Sequence, residues 1–346
     1  MRALTFRGIE DIAYESVPDP RLQAPTDAVI RIELSAICGS DLHPYFGRET
    51  GLDAGSVMGH EAIGTVVEVG ADVKRFRPGV RVAMPFTTNC GECFYCRSGL
   101  TSRCIRGQLF GWVEGGRGLH GLQAEYARVP LADATLVPLP DDVPSDLALL
   151  LGDVLSTGRF CADMAAVREG GTYAVVGLGP VGVMAVVAAR EMGAGQIFGI
   201  DPVAERRALA AVYGASPIAL EQAVELVRSV TGGRGADGVM EAVGNSAAER
   251  LSFDLVRPGG TIAVVGVHTD PQFTFSPVDA YNRNLTYRVG RCPARRYMDE
   301  LLPLLTSNRY DFRPLLSHRL PLSDGPRGYR IFADKAEACT KVVLTP

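Results

Sequence analysis

The stretch TYAVVGLGPVG, residues 172–182, joins an apolar run to three closely spaced glycines. The apolar run Thr172–Val176 predicts a buried strand, and the residues after the glycines predict a helix over Val181–Met192. Glycines at these positions allow a tight turn, close approach of the backbone to a pyrophosphate, and close packing of helix on strand. The pattern therefore predicts a dinucleotide-binding loop at a helix N-terminus. The residues assigned to this loop are Gly177, Gly179, Pro180, Val181 and Gly182.

An acidic residue follows the next predicted strand, Gln196–Ile200. Asp201 lies 24 residues after Gly177, where a carboxylate can accept hydrogen bonds from both hydroxyls of the adenosine ribose. Its charge would repel a 2′-phosphate, so the sequence favours NAD over NADP as the cofactor. Arg206 and Arg207 are close by in the sequence, and they leave NADP open as an alternative.

The rhythm of strand, turn and helix extends from about residue 170 to about residue 284 and predicts a parallel α/β sheet. The further strands and helices predicted there are Gly238–Ala242, Thr261–Val265, Ala204–Tyr213, Glu221–Val230 and Ala247–Val256. The first 150 residues instead alternate short apolar runs with Gly- and Pro-rich turns, which is typical of a β-rich domain. Near the end of the chain, a helix is predicted at Tyr297–Leu305 and a strand at Thr340–Leu344.

Composition and charge narrow the class of protein. The 346 residues are 47% hydrophobic and 21% charged, close to the averages of globular proteins, and this length predicts two domains. The formal net charge is −4 with no long basic run, which argues against a nucleic-acid partner. No apolar stretch is long enough to span a membrane, and the charged N-terminus does not resemble a signal peptide. We therefore expect a cytoplasmic protein with no membrane partner.

Half of the eight cysteines fall in one short segment, NCGECFYCRSGLTSRC. Four thiolates from one lobe can surround a Zn²⁺ tetrahedrally, and they use every coordination position, which makes such a site structural. Disulfides are the alternative, but the spacing suits a metal in a reducing compartment better. The predicted structural zinc ligands are Cys90, Cys93, Cys96 and Cys104.

A second set of candidate ligands lies in the segments CGSDLH, residues 38–43, and GHE, residues 59–61. Cys38 and His60 are typical zinc ligands, while Glu61 and Asp41 are carboxylates that either bind the metal or orient the imidazole from behind. The spacing alone leaves a packed core cysteine and histidine as an alternative.

Taken together, these segments resemble the zinc-containing medium-chain dehydrogenases, which include alcohol, sorbitol and threonine dehydrogenases. The resemblance is carried in order by CGSDLH, GHEAIGTVVEVG, the four-cysteine lobe, GDVLSTG, GLGPVG and KVVL. It implies a β-rich catalytic domain of GroES-like fold at residues 1–152, an α/β Rossmann domain at residues 153–284, and a return to the catalytic domain at residues 285–346. It also implies a homotetramer, with a dimer as the alternative. Its dimers would form where the edge strand Leu285–Val289 continues the Rossmann sheet across a twofold axis.

The resemblance also assigns site residues. Cys38, His60 and Asp153 would bind the catalytic zinc, where Asp153 replaces the cysteine of many relatives, as in the formaldehyde-dehydrogenase-like branch. Ser40 and His43 would relay the alcohol proton to water. The remaining residues assigned to the cofactor are Thr157 and Val181 against the nicotinamide, Lys341 near the phosphates, and Arg206, Val243 and Val267 elsewhere in the cofactor site.

The implied function is reversible oxidation of an alcohol to an aldehyde or ketone, with hydride transfer to NAD⁺. Zinc lowers the pKa of a bound hydroxyl towards about 7, which favours loss of the hydride. Two zinc ions per chain are expected. A polyol, threonine or formaldehyde dehydrogenase or dismutase is the alternative within the family, and a non-catalytic NAD-binding protein is the alternative outside it. The candidate residues for the substrate pocket are Tyr45, Phe46, Phe86 and Trp112.

Overall fold

A computed structural model describes residues 1–307 and 309–346 of the chain. The described residues form two compact units. The first consists of Met1–Asp153 and Pro293–Pro346, and the second of Val154–Cys292. An α/β unit is thus inserted into a β-rich one, which is the fold class that the sequence predicts.

The inserted unit is built on a six-stranded sheet in which every neighbouring pair of strands is parallel. The order of strands across it is Ser216–Ile218, Gln196–Ile200, Thr172–Val176, Ala236–Glu241, Val256–Val264 and Thr286–Val289. Its helices are Val154–Met164, Pro180–Glu191, Ala204–Val212, Ala223–Val230, Ser246–Leu255 and Pro277–Asn282. Aliphatic side chains of the strands and helices, such as Ile200, Val227 and Val239, form its core.

The strands Thr172–Val176 and Gln196–Ile200 begin and end as predicted. The four helices predicted in this unit agree with the structure to within two residues at each end. The strand Ser216–Ile218 and the helix Val154–Met164 were not predicted, because the first is only three residues long and the second is buried over most of its surface rather than on one face. The domain boundary differs as well. Thr286–Val289 pairs in parallel with Val256–Val264, so the inserted unit continues to Cys292 instead of ending at residue 284.

The first unit is built on a mostly antiparallel seven-stranded sheet. Its path runs through His318–Pro321, Val342–Thr345, Ala28–Ile37, Glu61–Val69, Arg81–Met84 and Val137–Pro138, with Tyr126–Val129 also paired to Ala28–Ile37. Two hairpins complete the strands, Arg2–Gly8 with Asp11–Ser16 and Trp112–Glu114 with Arg117–Leu119. The helices are Leu42–Tyr45, Phe94–Arg97, Ala132–Thr135, Ser145–Ala148, Ala294–Thr306 and Gly325–Ala333.

The pairing of the last strand positions the residues of interest. Val342 lies opposite Ile37 in the antiparallel pairing, and Ala36 lies opposite Glu61 on the other side of the same strand. The end of the chain therefore returns to the strand end that precedes Cys38. No helix among the described residues is long and apolar enough to cross a bilayer.

Candidate catalytic metal centre and cofactor loop

Three chain segments bring four potential metal ligands together in the first unit. Cys38 follows the strand Ala28–Ile37, His60 and Glu61 lie at the start of the strand paired with it, and Asp153 follows a 3₁₀ helix. The thiol, imidazole and carboxylate ligand atoms of these four residues all lie within 4.8 Å of one another. The sheet pairing thus places residues from distant parts of the sequence around one point.

The distances within this group fit a tetrahedral zinc site. Cys38 Sγ lies 3.2 Å from Asp153 Oδ2, and His60 Nε2 lies 3.5 Å from the same oxygen. Zinc at its usual bond lengths holds a sulfur and an oxygen ligand about 3.5 Å apart, and a nitrogen and an oxygen about 3.4 Å apart. Cys38, His60 and Asp153 can therefore bind one zinc ion with only small movements.

The electrostatics of the group also favour a cation. Burial, with the negative charges of Asp153 and Glu61, raises the pKa of the Cys38 thiol to about 11. Burial likewise works to raise the pKa of Asp153, but its contacts with His60 outweigh that effect and lower the pKa below its usual value. A divalent cation among these groups would stabilise the thiolate that zinc binding requires. The donor set therefore fits zinc in chemistry as well as in distance.

Glu61 is held by a buried lysine. Lys341 Nζ lies 2.6 Å from one carboxylate oxygen of Glu61 and 2.5 Å from the other, and it also donates to the Ile37 carbonyl at 3.4 Å. Burial disfavours the charge on Lys341, but the Glu61 carboxylate outweighs burial and raises the pKa of the ammonium. Lys341 is only 1% exposed. The structure thus does not support Lys341 as a contact to cofactor phosphates, because its ammonium is buried and bound to Glu61.

The predicted relay residues lie on the chain directly after Cys38. Ser40 Oγ is 3.2 Å from His60 Nε2, the same nitrogen that faces Asp153, so the hydroxyl lies on the metal side of the imidazole. His43 Nδ1 is buried and has no hydrogen-bond partner among the described residues. Burial lowers the pKa of His43, which favours the neutral imidazole. The relay itself stays a prediction.

The four-cysteine lobe forms a separate cluster. The Cys90 and Cys96 sulfurs are 3.9 Å apart, those of Cys93 and Cys104 are 4.0 Å apart, and all four lie within 4.8 Å of one another. Four zinc-bound sulfurs in a tetrahedron are about 3.8 Å apart, whereas a disulfide needs about 2 Å. No disulfide joins any of the described cysteines. The lobe therefore fits a closed structural zinc site.

The glycine loop of the second unit has the geometry that a phosphate-binding turn needs. Gly177 has φ +89°, and a Cβ on Gly182 would lie 1.8 Å from the Gly177 carbonyl oxygen, so both positions require glycine. A Cβ on Gly179 would meet nothing within 4 Å, which leaves open space above the loop. Gly179 is also the N-cap of the helix Pro180–Glu191 and provides no capping side chain. The helix N-terminus is thus open to an anion.

Asp201 already has two backbone partners. One carboxylate oxygen accepts a hydrogen bond from Leu178 N, the other from Val203 N, both at 2.8 Å, and Arg206 Nη1 lies 3.9 Å from the first of them. Asp201 is therefore a residue that shapes the glycine loop, beyond the ribose contact that the sequence suggests. An ionised carboxylate has about four acceptor positions, so two bonds leave capacity for a ligand.

The other predicted cofactor residues also lie in the second unit. Thr157 is on the buried helix Val154–Met164, and Val181 is in the first turn of the helix after the glycine loop. Val243 and Val267 are exposed valines, at 42% and 43%, that follow the neighbouring strands Ala236–Glu241 and Val256–Val264.

Of the guesses for the substrate pocket, one lies next to the metal group. The Phe86 ring packs edge-on against His60, with the ring centroids 6.2 Å apart. Tyr45 instead belongs to the buried hydrophobic cluster that contains Leu4, and Phe46 and Trp112 are partly buried and pack against that cluster.

Comparisons with known proteins find related families, sequences and structures. Residues 24–141 match the family model of the alcohol dehydrogenase GroES-like domain, and residues 180–307 match that of the zinc-binding dehydrogenases. The chain is 40% identical over 343 residues to zinc-type alcohol dehydrogenase B of Aspergillus flavus, covering 96% of this chain and 78% of that protein. It is 31% identical to an NADP-dependent isopropanol dehydrogenase of Clostridium beijerinckii, with 92% of each chain covered. Among solved structures, alcohol dehydrogenase TADH from Thermus sp. ATN1 is 42% identical, has a TM-score of 0.93, and is matched over 100% of this chain and 99% of its own.

Proposed function

Because this chain belongs to the zinc-type medium-chain alcohol dehydrogenases, we propose that it catalyses the reversible oxidation of an alcohol with NAD⁺, using Cys38, His60 and Asp153 as ligands of a catalytic zinc. The observation that carries the proposal is the convergence of these three donor groups at tetrahedral spacing. When bound, the zinc supplies a Lewis acid that polarises the oxygen of the substrate.

The residues around this point supply position and proton transfer. Ser40 Oγ lies on the metal side of His60, where it can accept the proton of the alcohol. Burial lowers the pKa of His43, which keeps its imidazole neutral. Its Nδ1 has no hydrogen-bond partner among the described residues, so the ring can accept a proton at the far end of the relay. The Phe86 ring provides an apolar wall beside His60, which suits an alcohol with an apolar substituent.

The glycine loop and Asp201 support NAD as the cofactor. Open space at Gly179 and the free helix N-terminus suit the pyrophosphate, and the buried carboxylate of Asp201 opposes a 2′-phosphate. Arg206 lies 3.9 Å from that carboxylate, and one relative is named as NADP-dependent, so the preference for NAD is the part of the proposal that most needs measurement.

We further propose a cytoplasmic homotetramer or dimer. A reducing compartment favours thiolates over disulfides in the four-cysteine lobe. Thr286–Val289 is the last strand of its sheet. An edge strand has backbone groups on one side that can pair with another strand, which supports pairing with a second copy of the chain. Light scattering on the purified protein measures the oligomeric state directly.

A steady-state screen tests the proposed reaction. Primary, secondary and cyclic alcohols, polyols, threonine and formaldehyde should each be assayed with NAD⁺ and with NADP⁺ on zinc-loaded protein. We expect turnover with a simple alcohol and a higher kcat/KM for NAD⁺. A higher kcat/KM for NADP⁺ would refute the cofactor assignment, and absence of turnover with every alcohol would refute the substrate class.

A further inference from the structure

The predicted zinc ligand His60 is oriented from behind by a carboxylate. Asp41 Oδ1 lies 3.2 Å from His60 Nδ1, and Asp41 Oδ2 accepts a hydrogen bond from Cys38 N at 3.0 Å. An ionised carboxylate only accepts hydrogen bonds, so the hydrogen of the imidazole lies on Nδ1. The lone pair on Nε2 then points towards Cys38 and Asp153, where the metal would lie.

Asp41 is itself held by a buried glutamine that no sequence motif marks. Gln123 is fully buried, and its Nε2 donates to Asp41 Oδ2 at 3.3 Å and to the Ala36 carbonyl at 3.0 Å. These two acceptors use both hydrogens of the amide. A reversed amide would place its oxygen against two other oxygens, so the orientation of Gln123 is determined by its neighbours.

The other end of the Gln123 side chain is fixed by a tyrosine from the C-terminal part of the unit. Tyr329, on the helix Gly325–Ala333, is fully buried and donates its hydroxyl to Gln123 Oε1 at 2.8 Å. Tyr329 and Gln123 are 206 residues apart in the sequence. A continuous chain of hydrogen bonds therefore runs from Tyr329 through Gln123 and Asp41 to His60.

The backbone next to His60 makes room for this glutamine. Gly59 has φ +85°, and a Cβ at this position would lie 2.4 Å from Gln123 Cγ and 2.7 Å from its Nε2. Only glycine fits both the conformation and the space. Gly59, the glycine of the GHE segment, is thus required because the Gln123 side chain packs directly against it.

We propose that Gln123 and Tyr329 are positioning residues of the catalytic zinc site, and that they hold His60 through Asp41 in the orientation and tautomer that bind the metal. The inference rests on the proposed function only in requiring that Cys38, His60 and Asp153 bind zinc. Without the Gln123 amide, Asp41 Oδ2 keeps the hydrogen bond from Cys38 N but loses its only side-chain donor among the described residues. Asp41 then holds the imidazole less firmly, and the metal is bound less tightly.

Zinc release to an excess of a chromophoric chelator, 4-(2-pyridylazo)resorcinol, measures this effect without turnover. The variants are Gln123→Met, which keeps the volume and removes the amide, and Tyr329→Phe, which removes only the hydroxyl. The matched control is Tyr173→Phe. Tyr173 is a buried tyrosine whose hydroxyl accepts from Arg168 N and donates to the Ala166 carbonyl, and it belongs to the unit that contains neither metal group.

We expect Gln123→Met to speed release of the catalytic zinc about 10- to 100-fold, the range found when groups behind metal ligands are lost, and Tyr329→Phe to do so to a smaller extent. Release from the four-cysteine lobe should stay at the native rate in both variants, and Tyr173→Phe should change neither rate. A native rate of catalytic zinc release in Gln123→Met would overturn the proposal, as would equal acceleration at both zinc sites.

Cobalt(II) in place of the catalytic zinc provides a second readout if Gln123→Met does not fold. Its visible absorption depends on ligand geometry, so Tyr329→Phe should shift the bands while Tyr173→Phe leaves them unchanged. Unshifted bands in Tyr329→Phe would refute the role of the tyrosine. A native protein that binds only the zinc of the four-cysteine lobe would instead refute the proposed function, and this is known before any variant is compared.

Discussion

Removing the charge of Lys341 tests the buried ion pair that the sequence did not predict. Lys341→Met keeps most of the side-chain volume and leaves the Glu61 carboxylate without its partner. Glu61 is fully buried and Lys341 is 1% exposed, so water cannot replace the lost ammonium. Breaking a buried pair from one side typically costs about 3–5 kcal/mol. Burial already raises the pKa of Glu61 to about 7, so without Lys341 the carboxyl either stays charged with no partner or takes up a proton, and both outcomes cost stability. In a unit of about 200 residues, this corresponds to a fall in melting temperature of roughly 6–20 °C.

The chain offers a convenient probe for this measurement. Trp112 is the only tryptophan, and it lies in the first unit, so its fluorescence follows the unfolding of the unit that contains the ion pair. The double variant Glu61→Gln with Lys341→Met removes both charges and should melt within a few degrees of the native protein, since neutral replacement of both partners is close to neutral in free energy.

Arg319→Met is the matched control for the loss of a basic side chain. Arg319 pairs with Asp146 at 2.9 Å, but the Arg319 side chain is 51% exposed, so solvent screens the pair and we expect a loss below about 1 kcal/mol. If Lys341→Met melts within about 2 °C of the native protein, or if the double variant is less stable than Lys341→Met, the account of the Glu61–Lys341 pair is wrong.

Three further substitutions test other parts of the account. Asp153→Asn keeps the shape of the ligand but loses its charge. We expect turnover to fall at least 100-fold and zinc content to fall towards one per chain, while the affinity for NADH stays the same. Near-native turnover would make the assignment of Asp153 as a ligand wrong. Asp201→Asn loses the charge that opposes a 2′-phosphate, so the ratio of kcat/KM for NAD⁺ over NADP⁺ should fall about tenfold or more, and an unchanged ratio would mean that other residues select the cofactor. Gly182→Ala places a methyl group against the Gly177 carbonyl, so NADH binding in a fluorescence titration should be lost while both zinc ions remain; native NADH affinity would contradict the geometry of the loop.

The parts of the fold that the sequence predicts are those specified by local patterns. The glycine loop is predictable from the sequence because an apolar strand, three glycines and a helix follow one another within twenty residues. The four cysteines of the lobe also lie within one short segment, so their grouping is predictable in the same way. The strands Thr172–Val176 and Gln196–Ile200 are fully predicted because apolar runs in a parallel sheet are continuous.

The parts that the sequence does not predict depend on contacts between distant residues. Lys341 and Glu61 are 280 residues apart, and only the pairing of the last strand with Ala28–Ile37 brings them together. The family resemblance predicts Lys341 near the cofactor phosphates. A resemblance does not show which group the Lys341 ammonium contacts in this chain, and in the structure that group is Glu61. Gln123 and Tyr329 belong to no motif, so their link to the metal group becomes visible only once the first unit is folded.

The most direct test of the central claim is turnover as a function of zinc content per chain. Two separate donor groups converge in the structure, the four cysteines of the lobe and the group of Cys38, His60, Glu61 and Asp153. Because Lys341 binds Glu61, the proposed zinc site of Cys38, His60 and Asp153 would keep a coordination position for substrate, which the four-cysteine site would not. Alcohol oxidation should therefore be absent in protein that retains one zinc in the four-cysteine lobe, and it should rise in proportion to the second zinc as that ion is added back. Full turnover at one zinc per chain located in the lobe, or no gain on addition of the second, would contradict the account.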